Sequence, residues 1–471
     1  MNGTAPALLD VLRARLGADA VLTERADLSG YEHGWRYGAG RALALVRPSS
    51  PADVAFVLAT TKAHGVRVQP IGANTGLVGA SNPDTTGEQL VLSLERLSRI
   101  EDIDPVDGIA VVQAGVLLSQ LNEALAPHGL WFPIDLGADP QIGGMVVTNT
   151  GGTRLLRYGD VRRNLLGLEV ALADGTLVTQ LTRLRKNNVG LDLKQCFVGT
   201  SGILGVVTRA VLAVAPRPRQ FASALVAAAD GAAVLELLAV LTRAVGDCLS
   251  AYEVIGKDAL ALTLQYGTDL RAPFQGELPA YTVLVELAST VQRERLDLEA
   301  LLEETLVAHV EECPREGITD VLVGRGDAFW AIRHRVSESL REAGVVLAFD
   351  LAVPRARLAE FTDAMRTQLA ARFSAVRLCD FGHWGDGGTH LNLVWSRGQF
   401  ADEAALRTAL RELVYDTCVR DFAGSFSAEH GVGPHNQEFY DRYVASTVRE
   451  ATGALRRHFD PERRLGTVNL D

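Results

Sequence analysis

"PIGANTGLVGAS", residues 70–81, comes directly after the short alternating run VRVQ and carries glycines at 72, 76 and 79. Glycine here does two things. It admits positive φ, and it lets backbone N–H groups close in on an anion. The loop is not a Walker loop, because no Gly-Lys-Ser/Thr follows, and it lacks the strand–GxGxxG–helix context of a dinucleotide fingerprint. Three further segments share its character: DLGADPQIGGMVVTNTGGTRLLRYG (135–159), LRKNNVGLDLK (184–194) and GTSGILGVV (199–207). One such loop is ordinarily a cluster of turns. Four of them between residues 70 and 207 fit a large, multiply phosphorylated or dinucleotide ligand better.

Working outward, LALVR (43–47) reads as a strand, and SSPADVAFVLATTKAHG (49–65) as a helix with a Ser/Pro start and a Gly stop. VRVQPIG (66–72), LVLSL (90–94) and GIAVVQAG (108–115) read as further strands, giving a β-α-β-β opening and an α+β class. APRPR (215–219) is a proline-broken charged stretch and the best domain boundary. Beyond it we expect strands at 222–227, 280–288 and 345–352, and helices at 231–246, 291–312, 327–342 and 355–372. An arginine-rich helical region (403–458) ends the chain. The domains are thus expected at 1–217, 218–415 and 416–471, the last returning to the first.

At 471 residues the chain is too long for one core. With 47% hydrophobic and 22% charged residues it is globular. A net charge of −11 disfavours nucleic acid or an anionic membrane as main partner. The cysteines at 196, 248, 313, 379 and 418 are odd in number and without a CxxC pair, so they read as reduced, mostly buried thiols of a cytoplasmic protein. The first 23 residues read as an amphipathic helix and lack the plan of a signal peptide. The most apolar long stretch, 221–245, is interrupted by Asp230, Glu236 and Arg243, so no membrane span is expected.

The second half carries its chemistry in FGHWGDGGTHLNLVW (381–395). Asp386-Gly387 is a strong signal for a two-residue hairpin turn, which would put His383 opposite His390 with Cβ atoms ~5 Å apart on one face. Asn392, two residues on, faces the same way. Such a pair can share one cation, or can be two ordinary hairpin histidines. SAEHGVG (427–433) offers Glu429 and His430 as further polar groups. DAFWAIRHRVSESL (327–340) puts Arg333 and Ser337 on one helical face with Trp330.

In order and spacing, GANTGLVG, IGGMVVTNTGG, LRYGDVRRNLLGLEVALADGT, LRKNNVGLDLKQCFVG, DGGTHLN and SAEHGVG resemble the vanillyl-alcohol-oxidase type of flavoprotein, with its PCMH-type FAD-binding domain. Within it the chain is most similar to the D-2-hydroxyglutarate and D-lactate dehydrogenases, from about residue 38 to residue 433. The resemblance implies an α+β fold: a PCMH-type FAD-binding domain, a substrate (cap) domain with an antiparallel sheet flanked by helices, and a C-terminal helical region. It implies that Pro70, Gly72, Asn74, Thr75, Gly76, Leu77, Val78 and Gly79 wrap the FAD pyrophosphate. It places Gly143, Gly144, Thr148, Asn149, Gly151 and Gly152 along the flavin, and Gly202, Leu204, Gly205 and Val207 near the adenine. No His or Cys lies in 70–81, so the FAD is expected to be non-covalent.

The same resemblance makes His383, His390 and Glu429 metal ligands and His430 the group acting on substrate. Two imidazoles and a carboxylate with open positions suit zinc, and would also hold manganese or ferrous iron. Arg333 is then the partner of the substrate carboxylate, with Ser337 and Asn392 beside it. The expected activity is FAD- and metal-dependent oxidation of a D-2-hydroxy acid to the 2-oxo acid. Electrons would pass to an electron-transfer flavoprotein or a quinone, and the oligomeric state is left open, a homodimer being one option. The rival is a metal-dependent hydrolase of a phosphorylated substrate. Two departures from the family pattern argue against a dicarboxylate substrate. LAFD (347–350) has Ala348 where a substrate-contacting lysine stands, and the tail reads GTVNLD (466–471) instead of NP-x-K.

Overall fold

The computed structural model describes residues 4–312, 317–324 and 326–471, so Cys313 lies outside the described residues. Two compact units divide the chain. The first comprises residues up to Gly151, Gly159–Arg217 and Glu429–Asp471; the second comprises Gly152–Tyr158 and Pro218–Ala428.

In the first unit, Ala42–Val46, Gln89–Ser93 and Val68–Ile71 lie side by side and parallel, with Val21–Leu22 antiparallel at the edge. The crossover helix, Pro51–Ala63, begins where Ser50 Oγ accepts from the Asp53 amide and Pro51 takes the first helical position. A second, antiparallel sheet runs in the order Ile100–Asp104, Ile109–Gln113, Val206–Ala213, Leu165–Ala171, Leu177–Gln180. Ile100–Asp104 (IEDID) escapes a hydrophobic-pattern reading because it is a charged edge strand.

The second unit is built on one antiparallel sheet of seven strands. Their order is Ile318–Gly324, Gln220–Ala228, Tyr281–Ser289, Leu249–Gly256, Arg377–Gly382, Gly388–Trp395, Val345–Ala352. Helix Gly231–Val245 starts on Asp230, whose carboxylate accepts from the Ala233 amide. The helix expected from 291 begins only at Leu298, because Asp297 accepts from the amides of Glu299 and Ala300 and so caps it there. Helix Gly326–Ala343 packs Trp330, Ile332, Val336 and Leu340 into an apolar cluster of this unit.

Three features differ from the sequence reading. The C-terminal return starts at Glu429, not at 416. The reason is that Ser425 exchanges both backbone hydrogen bonds with Ala352, and the Ala428 amide donates to Asp350 O at 3.2 Å, so residues 425–428 run along the edge of the seven-stranded sheet. The region 403–458 is also not continuously helical. After Glu403–Asp416 and one π turn, the chain from Phe422 to Asn436 is irregular before helices Gln437–Tyr443 and Ser446–Phe459. In addition, Gly152–Tyr158 leaves the first unit. Arg154 Nε donates to Glu286 Oε1 at 3.2 Å, and Arg157 Nη1 donates to the carbonyls of Cys248 and Ala288.

Candidate active site

The His hairpin forms, but not with the expected turn. Phe381, not His383, stands opposite His390, so His383–Gly387 make a five-residue loop. A type I′ turn needs positive φ at both central residues. Here Gly387 has φ +102, while Asp386 stays out of the left-handed region and uses its carboxylate to accept from the Gly388 amide at 2.9 Å. Gly382, at φ +133, turns the chain out of the strand one residue before His383. The slip is two residues, and side chains alternate with period two, so the face is kept. The imidazoles therefore still meet, Nε2 to Nε2 at 3.1 Å, their rings edge to face at 80°.

The pair belongs to a row crossing four neighbouring strands. Asp350 stands opposite His390 on the far side, its Oδ1 3.8 Å from His390 Nδ1. On the near side, Ile255 pairs with Phe381, which brings Glu253 beside His383. Glu253 is 1% exposed on its side chain. One carboxylate oxygen accepts from His383 Nδ1 at 2.5 Å and the other from Arg333 Nε at 2.6 Å. Burial alone would raise the Glu253 pKa, but His383 and Arg333 outweigh it and hold it down to about 2. An ionised carboxylate only accepts, so His383 Nδ1 carries the proton of this hydrogen bond, and in the neutral ring Nε2 is the lone-pair nitrogen, facing His390.

This arrangement fits a metal. Two nitrogens bound to one ion at about 2.0–2.1 Å stand about 3.0–3.4 Å apart, and a carboxylate behind a ligating imidazole is the usual support. Glu429 and His430 are half-buried. Glu429 follows Ala428 in the chain, and Ala428 is hydrogen-bonded to the strand that carries Asp350.

The other predicted residues are placed as follows. Arg333 lies with its guanidinium 4.8 Å from the Phe381 ring centroid, and its Nη atoms have no hydrogen-bond partner among the described residues. Asn392 is buried opposite Ala348, and its Nδ2 donates to His390 O at 3.0 Å. Ser337 is exposed, one position off the buried stripe of its helix.

In the first unit, the 70–81 loop is held by its own side chains. Asn74, at φ +55, donates to His33 O at 2.7 Å, and Ser81 Oγ donates to Asn74 Oδ1 at 2.8 Å. Pro70 lies within strand Val68–Ile71, Thr75 and Leu77 are half-buried, and Val78 and Gly79 are buried. Gly143, Gly144 and Thr148 lie on helix Ile142–Thr148, with Asn149 at φ +61 as its cap and Gly151 just beyond. Gly143 is a packing glycine, since a Cβ there would sit 2.7 Å from that of Ala114. By contrast, a Cβ at Gly76, Gly144 or Gly202 would meet no atom within 4 Å. Gln141 Oε1 is buried without a partner next to Gly72. Open space over glycines beside an orphaned acceptor is what a bound nucleotide cofactor would fill. Gly205 packs against Val170, and Leu204 and Val207 are core.

Sequence reasoning missed Glu253 and Asp350. Each is a lone carboxylate in an otherwise mostly apolar run, SAYEVIG and VVLAFD, and a buried charge demands a partner. That signal was available, but the partners were not, because they lie across strands far apart in sequence.

Comparison with known proteins gives the family. A family model described as an FAD binding domain matches residues 42–180, and one for the C-terminal domain of FAD linked oxidases matches residues 217–469. The chain is 34% identical over 420 residues to the mitochondrial D-2-hydroxyglutarate dehydrogenase of Bos taurus, covering 88% of this chain and 74% of the relative. It is 29% identical over 466 residues to the D-2-hydroxyglutarate–pyruvate transhydrogenase of Saccharomyces cerevisiae, covering 96% and 92%. Its fold matches p-cresol methylhydroxylase with a TM-score of 0.75, at 17% identity and over 98% of this chain and 95% of that one. With both halves matched, the chain belongs to the FAD-linked oxidases of the vanillyl-alcohol-oxidase type, on the branch of the D-2-hydroxyglutarate dehydrogenases.

Proposed function

We propose that the protein oxidises a D-2-hydroxy acid to the 2-oxo acid, with non-covalent FAD in the first unit and a divalent metal on His383, His390 and Glu429. The observation that carries the metal is the 3.1 Å approach of two imidazole Nε2 atoms, one fixed from behind by a buried carboxylate. Zinc suits these donors, and manganese or iron would be accepted. When bound, FAD supplies the hydride acceptor and the metal a Lewis acid that acidifies the substrate hydroxyl. The residues do the rest. Arg333 offers its two Nη atoms to the substrate carboxylate, Asn392 and Ser337 complete the polar lining, and His430 accepts the hydroxyl proton on a ring nitrogen. In the first unit, Pro70–Gly79 wraps the pyrophosphate, Gly143–Gly152 follows the flavin, and Gly202–Val207 lies toward the adenine.

The bovine relative is named for a dicarboxylic hydroxy acid. Here Ala348 faces the same side of the sheet as Asp350 and His390. An apolar methyl at that position leaves a second substrate carboxylate without a cation, so we propose a small or apolar D-2-hydroxy acid as substrate. We further propose a cytoplasmic enzyme handing electrons to an electron-transfer flavoprotein or a quinone. A hydrolase has no use for the matched FAD domain and is the weaker reading.

Four tests follow from these assignments. The purified protein should be yellow, with a band near about 450 nm that a D-2-hydroxy acid bleaches. Exhaustive chelation should stop the bleaching, leave the colour, and be reversed by added divalent metal. Native-rate flavin reduction in protein shown by elemental analysis to be metal-free would remove the metal from the reaction. His430→Asn should slow single-turnover flavin reduction by about 10²–10⁴ with FAD and metal retained. Near-normal reduction would take His430 out of the mechanism, and loss of metal would make it a support of the ligands. Finally, kcat/KM should favour D-lactate or a branched D-hydroxy acid over D-malate and D-2-hydroxyglutarate. A clear preference for D-2-hydroxyglutarate would contradict the role given to Ala348.

A further inference from the structure

Glu253 is given no part of its own in the proposed reaction, yet it is hydrogen-bonded to one proposed metal ligand, His383, and to the proposed carboxylate clamp, Arg333. We infer that Glu253 is a positioning residue that couples metal binding to substrate binding: one carboxylate oxygen sets the tautomer of His383 and the other sets which edge of Arg333 is offered to the substrate. This rests on the reading of His383 as a ligand and Arg333 as the carboxylate clamp.

The geometry argues it in two steps. Oε1 accepts from Nδ1–H of His383 at 2.5 Å, so in the neutral ring a metal ligand requires, the lone pair is on Nε2, which faces the Nε2 of His390 3.1 Å away. A hydrogen bond of that kind both fixes the imidazole ring and raises its basicity as a ligand. Oε2 takes the Nε proton of Arg333 at 2.6 Å. A guanidinium can bind a carboxylate through its Nε/Nη edge or through its two Nη atoms. Glu253 occupies the first, so only the end-on Nη pair remains, and the stack on Phe381 holds its plane. Glu253 also neutralises the buried Arg333 of helix Gly326–Ala343, where an unpaired cation is costly.

The chemistry needs an acceptor on both atoms. An amide of the same shape has one acceptor and one donor end. In Glu253→Gln, either the NH₂ faces His383 and drives the proton to Nε2, or it faces Arg333 and donor meets donor. Glutamine thus cannot serve both partners, although it fills the same space.

The experiment uses the FAD-loaded full chain. Metal affinity is measured by competition with a chelator, using zinc as probe, alongside KM and kcat for the best D-2-hydroxy acid and flavin content. Glu253→Gln should weaken zinc binding by about 10–100-fold and raise KM, with flavin content unchanged. Glu253→Asp keeps both acceptors and should recover part of each loss. Wild-type zinc affinity together with wild-type KM in a folded Glu253→Gln protein overturns the inference and leaves the proposed function standing. A native protein that binds no divalent metal overturns both. Should the variants not fold, ¹⁵N-histidine spectra of the native zinc-loaded protein decide: His383 protonated on Nδ1 supports the inference, and protonation on Nε2 ends it.

Discussion

A carboxylate with almost no exposure can stay ionised only if donors surround it, and Glu253 is that carboxylate. Its strand, Leu249–Gly256, is otherwise apolar and fully buried in the middle of a seven-stranded sheet. Placing a charge there obliges the neighbouring strand and the helix above to bring His383 and Arg333 to it. Removing either partner leaves a buried charge short of compensation, a loss of about 3–5 kcal/mol for a broken buried pair. The site in this unit is therefore constrained by the fold: the same hydrogen bonds that make the buried charge tolerable also aim the imidazole and the guanidinium. Asp350, one strand beyond His390, extends the row to the edge of the sheet.

The first unit meets a different constraint. A nucleotide cofactor needs backbone brought close without side chains in the way, and the loops supply it with glycine. Not every glycine serves that end. Gly143 and Gly205 exist for close packing, whereas Gly76, Gly144 and Gly202 open onto free space. Asn74 and Asn149 adopt left-handed conformations and use their side chains to tie down the surrounding loop, Asn149 by donating to Asp160 at 2.8 Å.

Local chemistry was legible in the sequence where a residue type has few alternatives. Glycine-rich loops too polar for core, the Ser/Pro helix start at Ser50, and the period-two placement of the histidines all carry over into the structure. What was not legible depends on tertiary register. The turn at Asp386 could close in two residues or five, and the outcome depends on Asp386 capping Gly388 with its side chain rather than entering the left-handed region. Glu253 and Asp350 have no meaning as site residues until their strands are paired with ones more than thirty residues away. The departure of Gly152–Tyr158 from the first unit likewise depends on Arg154 and on Glu286, a buried acid 132 residues later.

The central claim is that His383 and His390 turn the same nitrogen toward one ion. Anomalous diffraction from crystals of the native protein, collected at the metal's absorption edge, tests it most directly. The account predicts one peak about 2.0–2.2 Å from Nε2 of both histidines, with Glu253 still bonded to His383 Nδ1. No peak between the two imidazoles, or a peak bound through Nδ1 of His383, would contradict it.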